Sequence, residues 1–332
     1  MRGARDWVLA AALFGLAGCA TVAADSPEAC KFTKVGEVAL TGHVLQPLVQ
    51  MEIDGKPLTM LLDTGASSTV IVQSAFEREG LELNRAIVGQ MNGIGGLKGM
   101  APATYVRAQS VKVGSTETYY PRLYIAVGAF NLVSLNKTPI DGLLGQDILA
   151  RYDIDLDLPH HRMAFYEPRR CADGAPPWGP ATMVARPKGV PSESRSLGGV
   201  DDISFLNGDR KIYATLALDN HPVIGMLDTG ASLLYLDRKV AERVGVTADD
   251  LAKDQGFAAN GASASKVTSW VHKFGSMTFL DQTFNEQRIG VGEIGGATEM
   301  LAGMPLLQYR HIWIPVHGSR IYVGPATKPE PL

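Results

Sequence analysis

Cysteine is scarce and odd in number, with three in 332 residues: Cys19, Cys30 and Cys171. Strong charge is absent as well. A formal net charge of −3 and a pI near 6.2 give no electrostatic case for a nucleic-acid partner. The most apolar run near the start, Trp7 to Ala17, has eleven residues, too few to span a bilayer as a mature helix. Seven histidines occur without His-Glu-x-x-His or any other ligand spacing, so no metal is expected. No Gly-x-Ser-x-Gly frames Ser67 or Ser232, which removes a hydrolase serine nucleophile. Gly290-Val291-Gly292-Glu293-Ile294-Gly295 satisfies Gly-x-Gly-x-x-Gly, but no amphipathic helix follows it and no βαβ unit surrounds it. A dinucleotide site is excluded on that ground, and no cofactor is expected. Hydrophobic residues at 45% and charged residues at 20% exclude a disordered chain. Glycine (36) and proline (19) suit many short strands joined by turns.

What is present is a repeat. Asp63-Thr64-Gly65-Ala66-Ser67 recurs as Asp228-Thr229-Gly230-Ala231-Ser232, and each copy follows an apolar run, Leu58 to Leu62 and Val223 to Leu227. The flanks repeat in step, as an internal duplication requires. Asp54-Gly55 and Asp219-Asn220 lie nine residues before the motif Asp and suit the positive φ of a hairpin turn. Gly80 and Gly245 lie seventeen after it and close short helical patterns. Glycine-rich stretches follow, Gly93-Ile94-Gly95-Gly96 in one half and Gly261 in the other. Each half ends in two apolar residues and a glycine, Leu143-Leu144-Gly145 and Leu301-Ala302-Gly303.

The extreme N-terminus is a separate object. Arg2 and Arg5 precede the apolar run, which ends in Leu16-Ala17-Gly18-Cys19. This resembles a bacterial lipobox, in which cleavage before the cysteine leaves it lipid-modified. An ordinary signal peptide cut near Ala20, Ala23 or Ala24 is the alternative. If Cys19 carries lipid, Cys30 and Cys171 remain as a pair, and an oxidising periplasm would permit a disulfide between them. Two unpaired thiols are the other reading. The chain divides into a signal peptide (1–18), a tether (19–34), an N-terminal lobe (35–168), a linker rich in Pro and Ser (169–199), a C-terminal lobe (200–325) and a tail (326–332). Each lobe has residues enough to bury its own core.

Each pentapeptide places a carboxylate at a strand end, where the Thr-Gly turn can hold it and backbone amides can hydrogen-bond an oxygen. Two such units related by a pseudo-twofold would bring the carboxylates together, where like charges cannot both ionise. One then serves as general base on a water and the other as acid toward a carbonyl. Identical motifs do not say which Asp holds the proton.

At these residues the sequence resembles aspartic proteases of the pepsin and retropepsin superfamily, in particular the retropepsin-like proteases of bacteria. The resemblance implies an all-β, bilobal fold whose duplicated lobes are related by a pseudo-twofold, with the active site at their interface. It implies Asp63 and Asp228 as the catalytic pair. Thr64 and Thr229 would interlock the two loops, Gly65 and Gly230 complete the signatures, and Ser67 and Ser232 either hydrogen-bond near the carboxylates or pack. Gly93, Ile94, Gly95 and Gly96 resemble a flap tip. Asn260 and Gly261 would form a second, less typical one. Ala66 and Ala231 are retroviral in style, and the pepsin flap tyrosine has no counterpart.

The expected protein is an aspartic endopeptidase acting on polypeptides of the cell envelope. It would be complete as a monomer, with neither metal nor nucleic acid. It would be lipid-anchored and face the periplasm, at the outer membrane rather than the inner because no Asp follows Cys19. A non-catalytic peptide-binding lipoprotein on the same scaffold, and an envelope scaffold, are the competing readings. Loss of peptide cleavage on substituting either Asp separates the first from both.

Overall fold

A computed structural model describes residues 31–82, 87–92, 100–168, 176–188, 211–261, 266–294, 298–316 and 320–332. The expected signal peptide, Cys19, Cys30, Cys171 and the flap residues Gly93, Ile94, Gly95 and Gly96 lie outside them.

The first half runs through β1 (Lys34–Ala39), β2 (Thr41–His43), β3 (Gln46–Ile53) and β4 (Lys56–Leu62). It continues with β5 (Val70–Val72), α1 (Gln73–Arg78), β6 (Ile87–Asn92), β7 (Met100–Val113) and β8 (Thr116–Gly128). It closes with β9 (Gly142–Leu144), α2 (Gln146–Leu149), β10 (Asp153–Asp157) and β11 (Arg162–Tyr166). After β12 (Thr182–Ala185) the second half repeats the series. Its elements are β13 (Tyr213–Leu218), β14 (His221–Leu227), β15 (Leu234–Asp237), α3 (Arg238–Arg243), α4 (Ala248–Leu251) and β16 (Gln255–Asn260). Then come β17 (Lys266–Phe279), β18 (Gln282–Gly292), β19 (Met300–Ala302), α5 (Met304–Leu307), β20 (His311–Ile314) and β21 (Arg320–Val323).

The two sheets show the duplication directly. One has the order β2-β3-β4-β9-β5-β8-β7-β6 and the other β13-β14-β19-β15-β18-β17-β16. Beyond the extra edge strand β2, they match strand for strand. In each, the strand before the motif Asp pairs in parallel with the short strand that precedes the second-element glycine, β4 with β9 and β14 with β19. The hairpin turns also match, with positive φ at Asp54 and Gly55 and at Asp219 and Asn220. That conformation favours Gly, Asn and Asp.

Strands β4 and β14 read as near-continuous apolar runs because both faces are covered. Leu62 and Leu227, one residue before each Asp, are almost fully buried, and burying such a side chain contributes about 1.5–3 kcal/mol.

A third sheet, β1-β11-β10-β20-β21-β12, is shared by the two halves. Its centre is the antiparallel pairing of β10 with β20, Ile154 opposite Ile314 and Leu156 opposite Ile312. Here the structure refines the sequence reading. Within 169–199, taken as linker, Thr182–Ala185 forms a strand on β21 just as β1 lies on β11. Only Val184 of the four is buried, so no apolar alternation marked it; pairing with β21 makes it a strand. The all-β, bilobal architecture with a pseudo-twofold is as expected.

Candidate active site

Both strands β4 and β14 stop one residue short of an aspartate, and both aspartates are held by the opposite strand of their own sheet. The Asp63 N–H donates to the Leu144 carbonyl (3.0 Å) and the Asp228 N–H to the Ala302 carbonyl (3.2 Å). The chain then turns. Gly65 and Ala66 N–H groups donate to Asp63 Oδ1 at 2.9 and 2.8 Å, and the Gly230 N–H donates to Asp228 Oδ1 at 2.8 Å. Each carboxyl is thereby held by its own loop and lies against the glycine of the other.

The glycines make that approach possible. A Cβ on Gly65 would lie 2.5 Å from Asp228 Cγ, and one on Gly230 would lie 2.4 Å from Asp63 Cγ. No side chain fits there, so the second motif position beyond each Asp must be Gly.

The threonines between them lock the loops together. The Thr64 hydroxyl donates to the Leu227 carbonyl (2.7 Å) and accepts the Thr229 N–H (3.1 Å). The Thr229 hydroxyl donates to the Leu62 carbonyl (2.7 Å) and accepts the Thr64 N–H (3.1 Å). Both threonines are buried. These reciprocal bonds span 163 to 167 residues of sequence and are the direct join between the two half-sites.

Asp63 and Asp228 are 3% and 2% exposed and share a side-chain hydrogen bond. Burial pushes the Asp63 carboxyl well above the ordinary carboxylate range, and the neighbouring Asp228 charge and the shared bond push it further. Burial also raises Asp228, but the bond from Asp63, the Gly230 and Ala231 amides and the Lys211 charge oppose the rise. The titration belongs to the pair: burial raises both carboxyls, and the neighbouring charge adds to the rise at Asp63.

Sequence reasoning missed the supports. In the first half, both oxygens of buried Asp147 accept the Thr69 N–H (2.9 Å), and Oδ1 accepts the Thr69 hydroxyl at 2.6 Å. That hydroxyl accepts the Gly145 N–H (3.1 Å), and Gln146 Nε2 donates to the Thr64 carbonyl (2.9 Å). Burial outweighs the Thr69 bonds and pushes Asp147 up to about 6. The same places in the second half hold Leu234, Met304 and Pro305, so apolar packing replaces the polar network.

A second missed feature is duplicated. Arg78 meets Asp141 at 3.0 Å, and Asp141 Oδ2 accepts the Thr59 N–H (2.9 Å). Arg243 meets Glu299 through both oxygens, and Glu299 Oε2 accepts the Ile224 N–H (2.8 Å). A signal existed: both arginines lie fifteen residues after their Asp, and both acids lie four before the closing glycine.

Of the other expected residues, Ser67 is exposed and Ser232 half-buried. Among the described residues neither bonds to a carboxyl. Asn260 ends β16, Gly261 follows it, and both line, with Asp63 and Ser232, a cleft of about 370 Å³ beside the pair.

The family model of aspartyl proteases matches this chain in two segments, residues 49–148 and 214–306. One segment falls in each half, and together they cover more than half of the chain. Protein DNA-DAMAGE INDUCIBLE 1 of Arabidopsis thaliana is similar over 123 residues at 27% identity, which is 36% of this chain and 27% of that protein. The matched stretch thus spans about a quarter of that relative's length.

Proposed function

The chain belongs to the aspartyl protease family, and from that premise we propose that it is an endopeptidase working through the Asp63–Asp228 pair. The observation that carries the reading is the buried pair itself: two carboxyls on interlocked loops, hydrogen-bonded to one another, with Asp63 in the wall of a cleft. The protonated Asp63 donates a hydrogen bond to the substrate carbonyl, and ionised Asp228 takes a proton from a water between them. The water oxygen bonds to the carbonyl carbon as the Asp63 proton passes to the carbonyl oxygen, giving a tetrahedral diol. Collapse of the diol breaks the C–N bond as the proton held by Asp228 passes to the leaving amine. The hydroxyl proton of the diol returns to Asp63. No covalent enzyme intermediate or cofactor takes part.

The test incubates residues 20–332 with a diverse peptide mixture from pH 4 to 8, with products read by mass spectrometry. Asp63→Asn and Asp228→Asn variants, checked for equal folding, run beside it. Cleavage lost in both supports the pair, and cleavage surviving in either sinks it. Peptide capture without products at any pH supports the binding reading instead.

The substrates we propose are polypeptides of the cell envelope, reached by export and a lipid on Cys19; the lipobox-like Leu16-Ala17-Gly18-Cys19 supports this. A Cys19→Ser variant expressed in a bacterium should lose membrane association, and an unchanged distribution counts against the anchor. Both half-sites in one chain support a monomer as the working unit. Sedimentation of active protein at a dimer's mass would oppose that.

A further inference from the structure

Behind the two motif loops lies a second cavity, of about 210 Å³. Strand β4 separates it from the cleft that holds Asp63. Successive residues of a strand point to opposite faces, so Leu61 lines the cleft and Leu62 the cavity. Thr64 and Gln146 line it from the lock. Both halves build the remaining wall, with Leu149, Ile154 and Leu156 from the first and Ile212, Ile314 and Ile321 from the second.

The charge around this space is of one sign. Among the described lining residues Arg186, Lys211 and Arg320 are cationic, and none is acidic. Arg186 Nη1 donates to the Lys211 carbonyl (3.1 Å), and its guanidinium lies 5.0 Å from the centre of the Tyr213 ring. Arg320 reaches Met183 Sδ at 3.4 Å. Arg186 and Lys211 are half-buried and Arg320 is exposed, whereas Leu62, Leu149, Ile154, Leu156 and Ile321 are buried. The cavity is therefore apolar at depth and basic at its rim.

An apolar pocket with a cationic rim matches a ligand that has an apolar tail and an anionic head. Its size bounds the tail. A cavity of about 150 Å³ admits benzene and a drug-sized ligand needs about 300–1,000 Å³, so 210 Å³ suits one short chain. A carboxylate is the head that guanidinium groups hydrogen-bond in paired geometry. We propose that this cavity binds a medium-chain fatty-acid carboxylate, its tail between the loops and the shared sheet and its head at Arg186, Lys211 and Arg320. A neutral head would forgo the charge-assisted bonds, and a cationic head would meet like charge. Because the wall comes from both halves, an occupant binds only the assembled molecule and stabilises it. The site stands whether or not the protein cleaves peptides.

The test is calorimetric titration of lipid-stripped protein with carboxylates of rising chain length, with octanol and octylammonium as head controls. Octanoate is expected to bind at one saturable site and to raise the unfolding temperature. Affinity should climb about fourfold per methylene and level off before dodecanoate, once the cavity is full. Octanol should bind at least about tenfold more weakly, the factor one charge-assisted hydrogen bond supplies, and octylammonium should not bind. Arg320→Gln and Arg186→Gln should each weaken octanoate about tenfold. Val184→Phe, which fills the cavity from β12, should abolish binding. Leu135→Ser, in the wall of the Asp63 cleft, should leave it unchanged. If Val184→Phe does not fold, Arg320→Gln at its exposed position decides. Equal affinity for octanoate and octanol, a gain that continues through dodecanoate, loss with Leu135→Ser, or no binding at all overturns the proposal.

Discussion

Asp147 ties the stability of the fold to pH. Its carboxyl is buried and raised from 3.8 to about 6, so the folded protein holds a proton that the unfolded chain releases. Between pH 4 and 6 the folded state therefore binds more protons, and its stability falls as pH rises through that window. A shift of this size corresponds to about 3 kcal/mol. Denaturant unfolding from pH 4 to 7 should show the decline, and Asp147→Asn should flatten much of it. The remaining slope comes from Asp63 and Asp228, which are raised in the same direction. Those two carry the activity prediction. Replacing either with Asn should lower the rate by roughly 10²–10⁴-fold, the span of one acid–base group.

At the scale of the element, the two motif loops are one unit made from distant parts of the chain. Removing the Thr64 hydroxyl orphans the Leu227 carbonyl and the Thr229 N–H at once, in a place closed to water. Thr64→Val should thus cost ~1–3 kcal/mol for each orphaned group, and Thr229→Val the same. Serine, which keeps the hydroxyl, should cost much less. Chemical denaturation of the four variants checks this; equal losses for Val and Ser would place the cost in packing instead. The Arg78–Asp141 and Arg243–Glu299 pairs work on the neighbouring strands. Each acid also caps a backbone N–H of β4 or β14, so truncating the acid should cost more than truncating its half-exposed arginine.

The whole molecule is joined at two levels, the threonine lock and the shared sheet beneath it. Strands β10 and β20 pair across the halves, with Trp313 fully buried in that sheet. Because each half supplies strands to the same sheet, neither can open without exposing the other's core. Calorimetry should show one transition, with equal calorimetric and van't Hoff enthalpies. Trp313→Ala should lower the stability of both halves together by about 3–5 kcal/mol. Two resolved transitions would contradict that coupling.

Much of this was legible in the chain because it is local and repeated. Asp63-Thr64-Gly65 and Asp228-Thr229-Gly230, the apolar strands before them, the turns at Asp54 and Asp219 and the closing glycines each follow from short-range chemistry. Their shared spacing declares the duplication. Ion pairs such as Arg78–Asp141 left a fainter trace, a matched offset that only becomes meaningful once a contact is known. Other features had no local signature. Thr182–Ala185 is a strand because β21 offers it hydrogen bonds, and the causes that shift Asp63 and Asp228 differ because the surroundings of two identical motifs differ. The polar network of Asp147 faces an apolar equivalent at Pro305, and the Gln46 amide finds its partners, the Val133 carbonyl and the Leu135 N–H, 87 and 89 residues away. The sequence by itself determined that two carboxylates would meet on a β scaffold, since a motif carries its own turn and strand. Tertiary structure alone decided how unequal their surroundings are, because burial, field and cleft shape are sums over residues far apart in the chain.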